Sequence, residues 1–157
     1  MPNYTIYCDG HSSPHKKNRA GWAILIEKDG VFFAQYTGKL NPNATNNEAE
    51  LKSLDVALRH ALALQASVST FNAKTCNVGH PSGLSVQIRS DSQLAVDIAN
   101  GRKSTNKPNL KPLMMVVRCG FKRLLEKTGA NAGVYWIPRE ENRAGLLIEK
   151  MQKERLI

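Results

Sequence analysis

The sequence predicts an α/β domain built on a five-stranded mixed sheet flanked by helices. Three strand-like runs follow one another in the first 38 residues with short connections, the pattern of an antiparallel meander. After them, helical patterns alternate with two further short apolar runs, an order that places helices against the faces of a sheet. At 157 residues the chain suits one domain with a normal core.

Taken in order, β1 is expected over about 3–9, where Tyr4-Thr5-Ile6-Tyr7-Cys8 leads into Asp9 and Gly10. β2 covers about 20–27 and β3 about 31–38, with Gly30 after Asp29 marking a hairpin turn. Residues 11–19 between β1 and β2 read as a polar loop carrying Lys16, Lys17 and Arg19. A helix, α1, is expected over about 46–65, with Thr45 or Asn46 as N-cap and Leu51, Leu54, Val56, Leu58, Ala61, Leu62 and Leu64 as its apolar face.

Residues 67–84 are rich in Ser, Thr, Asn, Gly and Pro and read as an insertion loop or short hairpin, so that 1–157 forms a single domain. β4 follows over about 85–90. A short helix, α2, spans 92–100 and is stopped by Gly101. Next comes a basic loop with Arg102, Lys103 and Lys107. A helix α3 over 109–127 turns Leu110, Leu113, Met114, Val117, Phe121 and Leu124 inward. β5 is expected at 134–137 and a last helix, α4, at about 142–154. Trp22 and Trp136 lie in strand patterns and read as core.

Composition narrows the function. No stretch approaches the ~20 apolar residues of a membrane span, and the start of the chain lacks a basic region followed by an apolar run, so neither membrane nor signal peptide is expected. Cys8, Cys76 and Cys119 are an odd, scattered set; they suggest free thiols and a cytoplasmic or other intracellular reducing compartment. The net charge of +9, from 22 Lys and Arg against 13 Asp and Glu, favours a polyanionic partner. No obligate protein partner is evident.

The chemistry is carried by three acids. Asp9 and Asp91 each end a strand pattern, a common position for catalytic groups in α/β sheets. Glu50 lies in the first turns of α1. Brought together, three carboxylates repel and attract a divalent cation. Glu48 competes with Glu50 but stands two positions away, on a different helix face. A zinc reading of Cys8, His11 and His15 is weak, because Cys8 points opposite to Asp9 on the strand and no fourth ligand is evident.

Asp9-Gly10 after the first strand, Thr45-Asn46-Asn47-x-x-Glu50 opening a helix, and Ser90-Asp91-Ser92-Gln93-Leu94-Ala95-Val96 after a later strand resemble the type 1 ribonuclease H family. The 20–26 segment and Trp136-Ile137-Pro138-Arg139-Glu140-Glu141-Asn142 fit the same pattern. The resemblance runs over most of the chain and implies the ribonuclease H-like fold. It also implies two Mg²⁺ ions, replaceable by Mn²⁺, held by Asp9, Glu50 and Asp91, with Asp9 bridging both. The implied substrate is an RNA–DNA hybrid. Gly10, Asn46, Asn47 and Gln93 match positions that meet the 2′-hydroxyls, and Thr45 one that meets a DNA phosphate. Arg102, Lys103 and Lys107 read equally as phosphate contacts or as a solvated charge run, and Arg139 as an aid to phosphate binding.

One departure stands out. The family usually carries an Asp four residues after an Asn in the last loop. Here Asn142 leads to Leu146, or to Gly145 if one residue is missing. Glu149, one turn beyond Leu146, is the first candidate to substitute as a catalytic acid; Glu140 and Glu141 are others. The expected activity is metal-dependent cleavage of the RNA strand of a hybrid, leaving 3′-hydroxyl and 5′-phosphate ends. The rivals are a nucleic-acid-binding module on the same fold and a related nuclease that cuts DNA.

Overall fold

A computed structural model describes residues 1–13, 19–75 and 83–157, with only the backbone of 69–75. The elements run β1 Asn3–Ser13, β2 Arg19–Lys28, β3 Val31–Lys39, α1 Asn46–Thr75, β4 Ser85–Ser90, α2 Gln93–Ala99, α3 Lys111–Thr128, β5 Ala132–Trp136, a 3₁₀ turn Arg139–Glu141 and α4 Ala144–Lys153.

The five strands form one sheet in the order β3-β2-β1-β4-β5. β1–β2 and β2–β3 are antiparallel; β1–β4 and β4–β5 are parallel. Asp29 and Gly30 both take positive φ (51° and 81°), as a tight hairpin between β2 and β3 requires. From β1 the chain runs to one side of the sheet and from β4 to the other. The carboxyl ends of these two neighbours are therefore a topological switch point, where open α/β sheets form a crevice.

Both faces of the sheet are covered at their centre. Ile6, Cys8, Ile24, Val86 and Ile88 pack with Leu51, Leu54 and Leu58 of α1 and with Val117 and Leu124 of α3. On the opposite face Tyr7 and Ala23 pack with Ala144, Ile148 and Met151 of α4. The alternation along β1 thus assigns Cys8 to the α1 face and Tyr7 to the α4 face, as a period of two demands. β3 is an edge strand and leaves Val31, Phe32, Phe33 and Tyr36 exposed.

Three expectations need correction. α1 is a 30-residue helix that continues through Thr75, into the segment expected as a loop. Ser and Thr lower helix propensity only by tenths of a kcal/mol each, and no Gly or Pro interrupts the chain before Gly79 and Pro81. Residues 76–82, with Cys76, lie outside the described residues. The polar 11–19 loop is shorter than expected, since β1 extends through Ser13 and β2 begins at Arg19; Lys16, Lys17 and His15 lie outside the described residues. Trp136 is not core: it is half exposed, with its indole N–H donating to the Asp91 carbonyl at 3.2 Å. Being the last residue of its strand, it lies beyond the reach of the helices that cover the centre. Trp22, by contrast, packs against the main core.

Candidate metal-dependent nuclease site

Register sets the first two acids side by side. The parallel pairing of β1 and β4 ends at Cys8 opposite Ser90, so Asp9 and Asp91 follow as the next neighbours. Glu50 comes from α1, on one face of the sheet, and reaches the strand ends past Gly10. A Cβ at Gly10 would sit inside contact distance of the Ala49 carbonyl and 2.6 Å from Glu50 N. The missing side chain is what lets the start of α1 lie against β1. The Gly10 N–H then donates to Asp9 Oδ1 at 3.1 Å and to Glu50 Oε2 at 3.2 Å.

The start of α1 is fixed by its own chemistry. Thr45 Oγ1 accepts from Glu48 N at 3.2 Å, and Glu48 Oε2 accepts from Thr45 N at 2.9 Å. This is a capping box. It commits Glu48 to the helix end and leaves Glu50 for the cleft, as the spacing predicted. Asn46 Oδ1 accepts from Ser12 N at 3.3 Å, and Ser12 Oγ donates to the Ala44 carbonyl at 2.5 Å, so the extended end of β1 is tied to the same helix start.

The result is a cluster in which one oxygen each of Asp9, Glu50 and Asp91 lies within 4.8 Å of the others. Among the described residues no other group of His, Cys, Asp and Glu forms such a set. Asp9 and Glu50 are buried, at 9% and 8% exposure. Burial, with the neighbouring Asp91 charge, pushes Asp9 up to about 7. Burial, with the Asp9 and Asp91 charges, pushes Glu50 up to about 9. The Gly10 N–H and the Arg139 guanidinium pull both the other way without cancelling the rise. Oxygen donors at this spacing, short of positive charge, fit a hard divalent cation.

The acids form the floor of an open cleft of about 440 Å³. Of the residues singled out in the sequence, Gly10, Asn46, Asn47, Arg139, Glu140 and Glu149 also line it. Thr45, Gln93, Arg102, Lys103 and Lys107 do not. Gln93 instead donates to Asp97 Oδ1 at 3.0 Å, one turn on in α2. Arg102 and Lys103 are drawn to the same carboxylate, with Nε and Nζ at 3.0 and 3.9 Å; the Arg102 bond is the main cause that holds Asp97 below its ordinary range.

The far wall of the cleft comes from α4. Asn142 is buried, its amide donating to the Cys8 carbonyl at 2.9 Å and its Oδ1 accepting from Ala144 N at 3.1 Å. It bolts the start of α4 to the strand that carries Asp9. A Cβ at Gly145 would lie 3.5 Å from Asp9 Oδ2, whereas Leu146 is 67% exposed. Both residues line the cleft, and Gly145 is the one whose Cβ direction meets Asp9. Sequence reading assigned no role to Ser92, Arg143 and Gln152 on the cleft wall, and weighed His11 there only as a weak zinc ligand. His11 alone had a usable signal, since it lies two residues beyond Asp9.

A family model described as RNase H matches residues 1–137. This chain belongs to the RNase H family. Ribonuclease H1 of the halophilic archaeon Halobacterium salinarum is 26% identical, with 96% of this chain and 98% of that chain covered and a TM-score of 0.69. LC11 ribonuclease H1, isolated from compost by a metagenomic approach, is 25% identical with both chains fully covered and a TM-score of 0.68. A structure of LC11 ribonuclease H1 in complex with an RNA/DNA hybrid aligns at 24% identity over 98% of this chain and 99% of that one, with a TM-score of 0.69. No curated protein sequence matches the chain. The family match ends at Ile137 and so stops short of Asn142 and α4, the segment in which the fourth acid is absent. No described helix of this RNase H is long and apolar enough to cross a membrane.

Proposed function

We propose that this RNase H is a divalent-metal-dependent endonuclease that hydrolyses the RNA strand of RNA–DNA hybrids. The observation that carries the reading is the convergence of Asp9, Glu50 and Asp91 at the floor of an open cleft. Its support comes from family membership and from the hybrid-bound neighbour of the same fold. Asp9, Glu50 and Asp91 would hold Mg²⁺, with Mn²⁺ as a substitute. When bound, a pair of such ions supplies an activated water and neutralises charge at the phosphorus.

The chain itself does the positioning. Asn46 and Asn47 bring amides to one wall and Gly10, without a side chain, leaves the backbone approachable there, which suits the 2′-hydroxyls that an RNA strand presents along a wide minor groove. Thr45 and Gln93 flank that wall. Arg139, on the cleft wall, is assigned to phosphate binding. Arg102, Lys103 and Lys107 lie outside the cleft and are assigned to phosphates farther along the duplex. Glu149, exposed on the cleft wall, is assigned the role of the missing fourth acid. Water attack at phosphorus breaks the P–O3′ bond and leaves 3′-hydroxyl and 5′-phosphate ends.

Gly145 favours one second reading, a hybrid-binding module whose catalysis is weakened at the fourth acid. A labelled hybrid incubated with Mg²⁺ or Mn²⁺, beside duplex RNA and duplex DNA, separates the two. Cleavage confined to the RNA strand, lost in chelator and in Asp9→Asn, is the expected result. Tight hybrid binding without cleavage in either metal would favour the binding module.

A further inference from the structure

The segment after α2 is held from two sides. Asp97 accepts the N–H groups of Arg102 and Lys103 on its carbonyl, at 2.8 and 3.2 Å. From α3, Arg118 donates Nε to the Ile98 carbonyl at 3.1 Å and Nη2 to the Lys103 carbonyl and Ser104 Oγ at 2.6 and 3.1 Å. Its guanidinium therefore spans the end of α2 and the loop beyond it. Gly101, with φ of 77°, makes the bend that lets the loop double back. The Arg102 and Lys103 side chains remain 59% and 58% exposed. Their backbone is fixed, while their side chains stay largely exposed beside the Asp97 carboxylate.

We propose that Arg118 is a positioning residue for hybrid binding, which preforms the 101–104 segment so that Arg102 and Lys103 meet the phosphate backbone without first being ordered. The inference rests on the hybrid reading above. A planar fork with fixed donors suits this task, because it bonds three acceptors in one geometry; a lysine ammonium on a flexible stem does not. Preorganisation raises affinity by removing the ordering cost from the binding step. It adds no phosphate contact of its own.

The two kinds of residue leave different marks. Loss of a phosphate contact flattens the dependence of log affinity on log salt by about one unit. Loss of a positioning residue weakens affinity and leaves the slope alone. Arg118→Met should weaken hybrid binding by about tenfold, raise KM rather than lower kcat, keep the parent salt slope, and speed tryptic cleavage after Arg102 and Lys103 in the free protein. Arg118→Lys, which keeps the charge but not the fork, should behave like Arg118→Met.

A flatter slope restored by Arg118→Lys would make Arg118 a phosphate contact and overturn the proposal. So would parent-like affinity in both variants, or weakened affinity with parent-like proteolysis. If Arg118→Met does not fold, Ser104→Ala removes one of the three acceptors and carries the same tests with a smaller effect. If the parent protein itself ignores the hybrid, the hybrid reading fails, while tryptic cleavage still decides whether Arg118 orders the loop.

Discussion

Gly145 separates this site from a four-acid one by a single side chain. The sequence left Gly145 and Leu146 open, because a helical phase cannot be assigned until the first turn is located, and the two differ by about 100° around the axis. Asn142 locates it by bonding the Cys8 carbonyl, and Gly145 then faces Asp9. An added carboxylate belongs at that position. Gly145→Asp should lower the Mg²⁺ concentration for half-maximal hybrid cleavage several-fold, and Leu146→Asp should do much less. Glu149→Gln should raise the metal requirement if Glu149 serves as the substitute acid. Metal titrations of cleavage for the three variants check this; a Glu149→Gln curve that overlays the parent's would return Glu149 to the solvated surface.

At the scale of elements, the positions of the strands and the start of α1 were legible, while several ends were not, β1 running on to Ser13 and α1 to Thr75. Alternation located β1, β2 and β4 and put Asp9 and Asp91 at strand ends; that the two strands are neighbours follows from the sheet order. The Thr45–Glu48 capping box fixed the start of α1 and hence the reach of Glu50. The far end of α1 was missed because Ser- and Thr-rich sequence disfavours a helix without forbidding it. The basic loop illustrates a different limit: composition counts charges but not their partners. Arg102 and Lys103 share Asp97, so phosphates must compete with a carboxylate already in place. Replacing Arg102, Lys103 and Lys107 together by Ala should therefore flatten the salt slope of hybrid binding by less than the ~3 units that three independent contacts would give. Affinities measured from low to moderate salt test this; an unchanged slope would place all three in the solvated surface.

The whole molecule carries the electrostatic cost of its site. Asp9 and Glu50 hold their protons more tightly folded than unfolded, rising to about 7 and about 9 from roughly 4. Below about pH 4 both states are protonated and the cost is absent. As pH rises, the unfolded chain releases protons that the folded one keeps, so stability falls. The decline levels off above the folded-state values. Metal-free protein should thus lose thermal stability from about pH 4 to about pH 9, and Mg²⁺ should restore part of it by binding the folded state. Glu50→Gln keeps an oxygen for the Gly10 N–H and removes a buried charge; in chelator at pH 9 it should melt several degrees above the parent, at about 2–4 °C per kcal/mol for a chain of this size. Melting curves across pH, with and without Mg²⁺, measure both effects. An Asp9 and Glu50 pair that is pH-indifferent in chelator would mean that water already solvates the acids.

The exposed outer strand, β3, has a consequence for handling the protein. Among the described residues no strand pairs with its outward edge, which lies beside the exposed Val31, Phe32, Phe33 and Tyr36, and such an edge can template another strand. Mutual repulsion between molecules of net charge +9 opposes such pairing. Salt screens that repulsion over about 10 Å at 0.1 M, and it also weakens attraction to a nucleic-acid backbone. The two effects are tied to one variable: conditions that strip nucleic acid from the purified protein also let its molecules meet edge to edge. Light scattering should therefore rise with salt in the parent protein, and a lysine in place of Phe32 should suppress the rise.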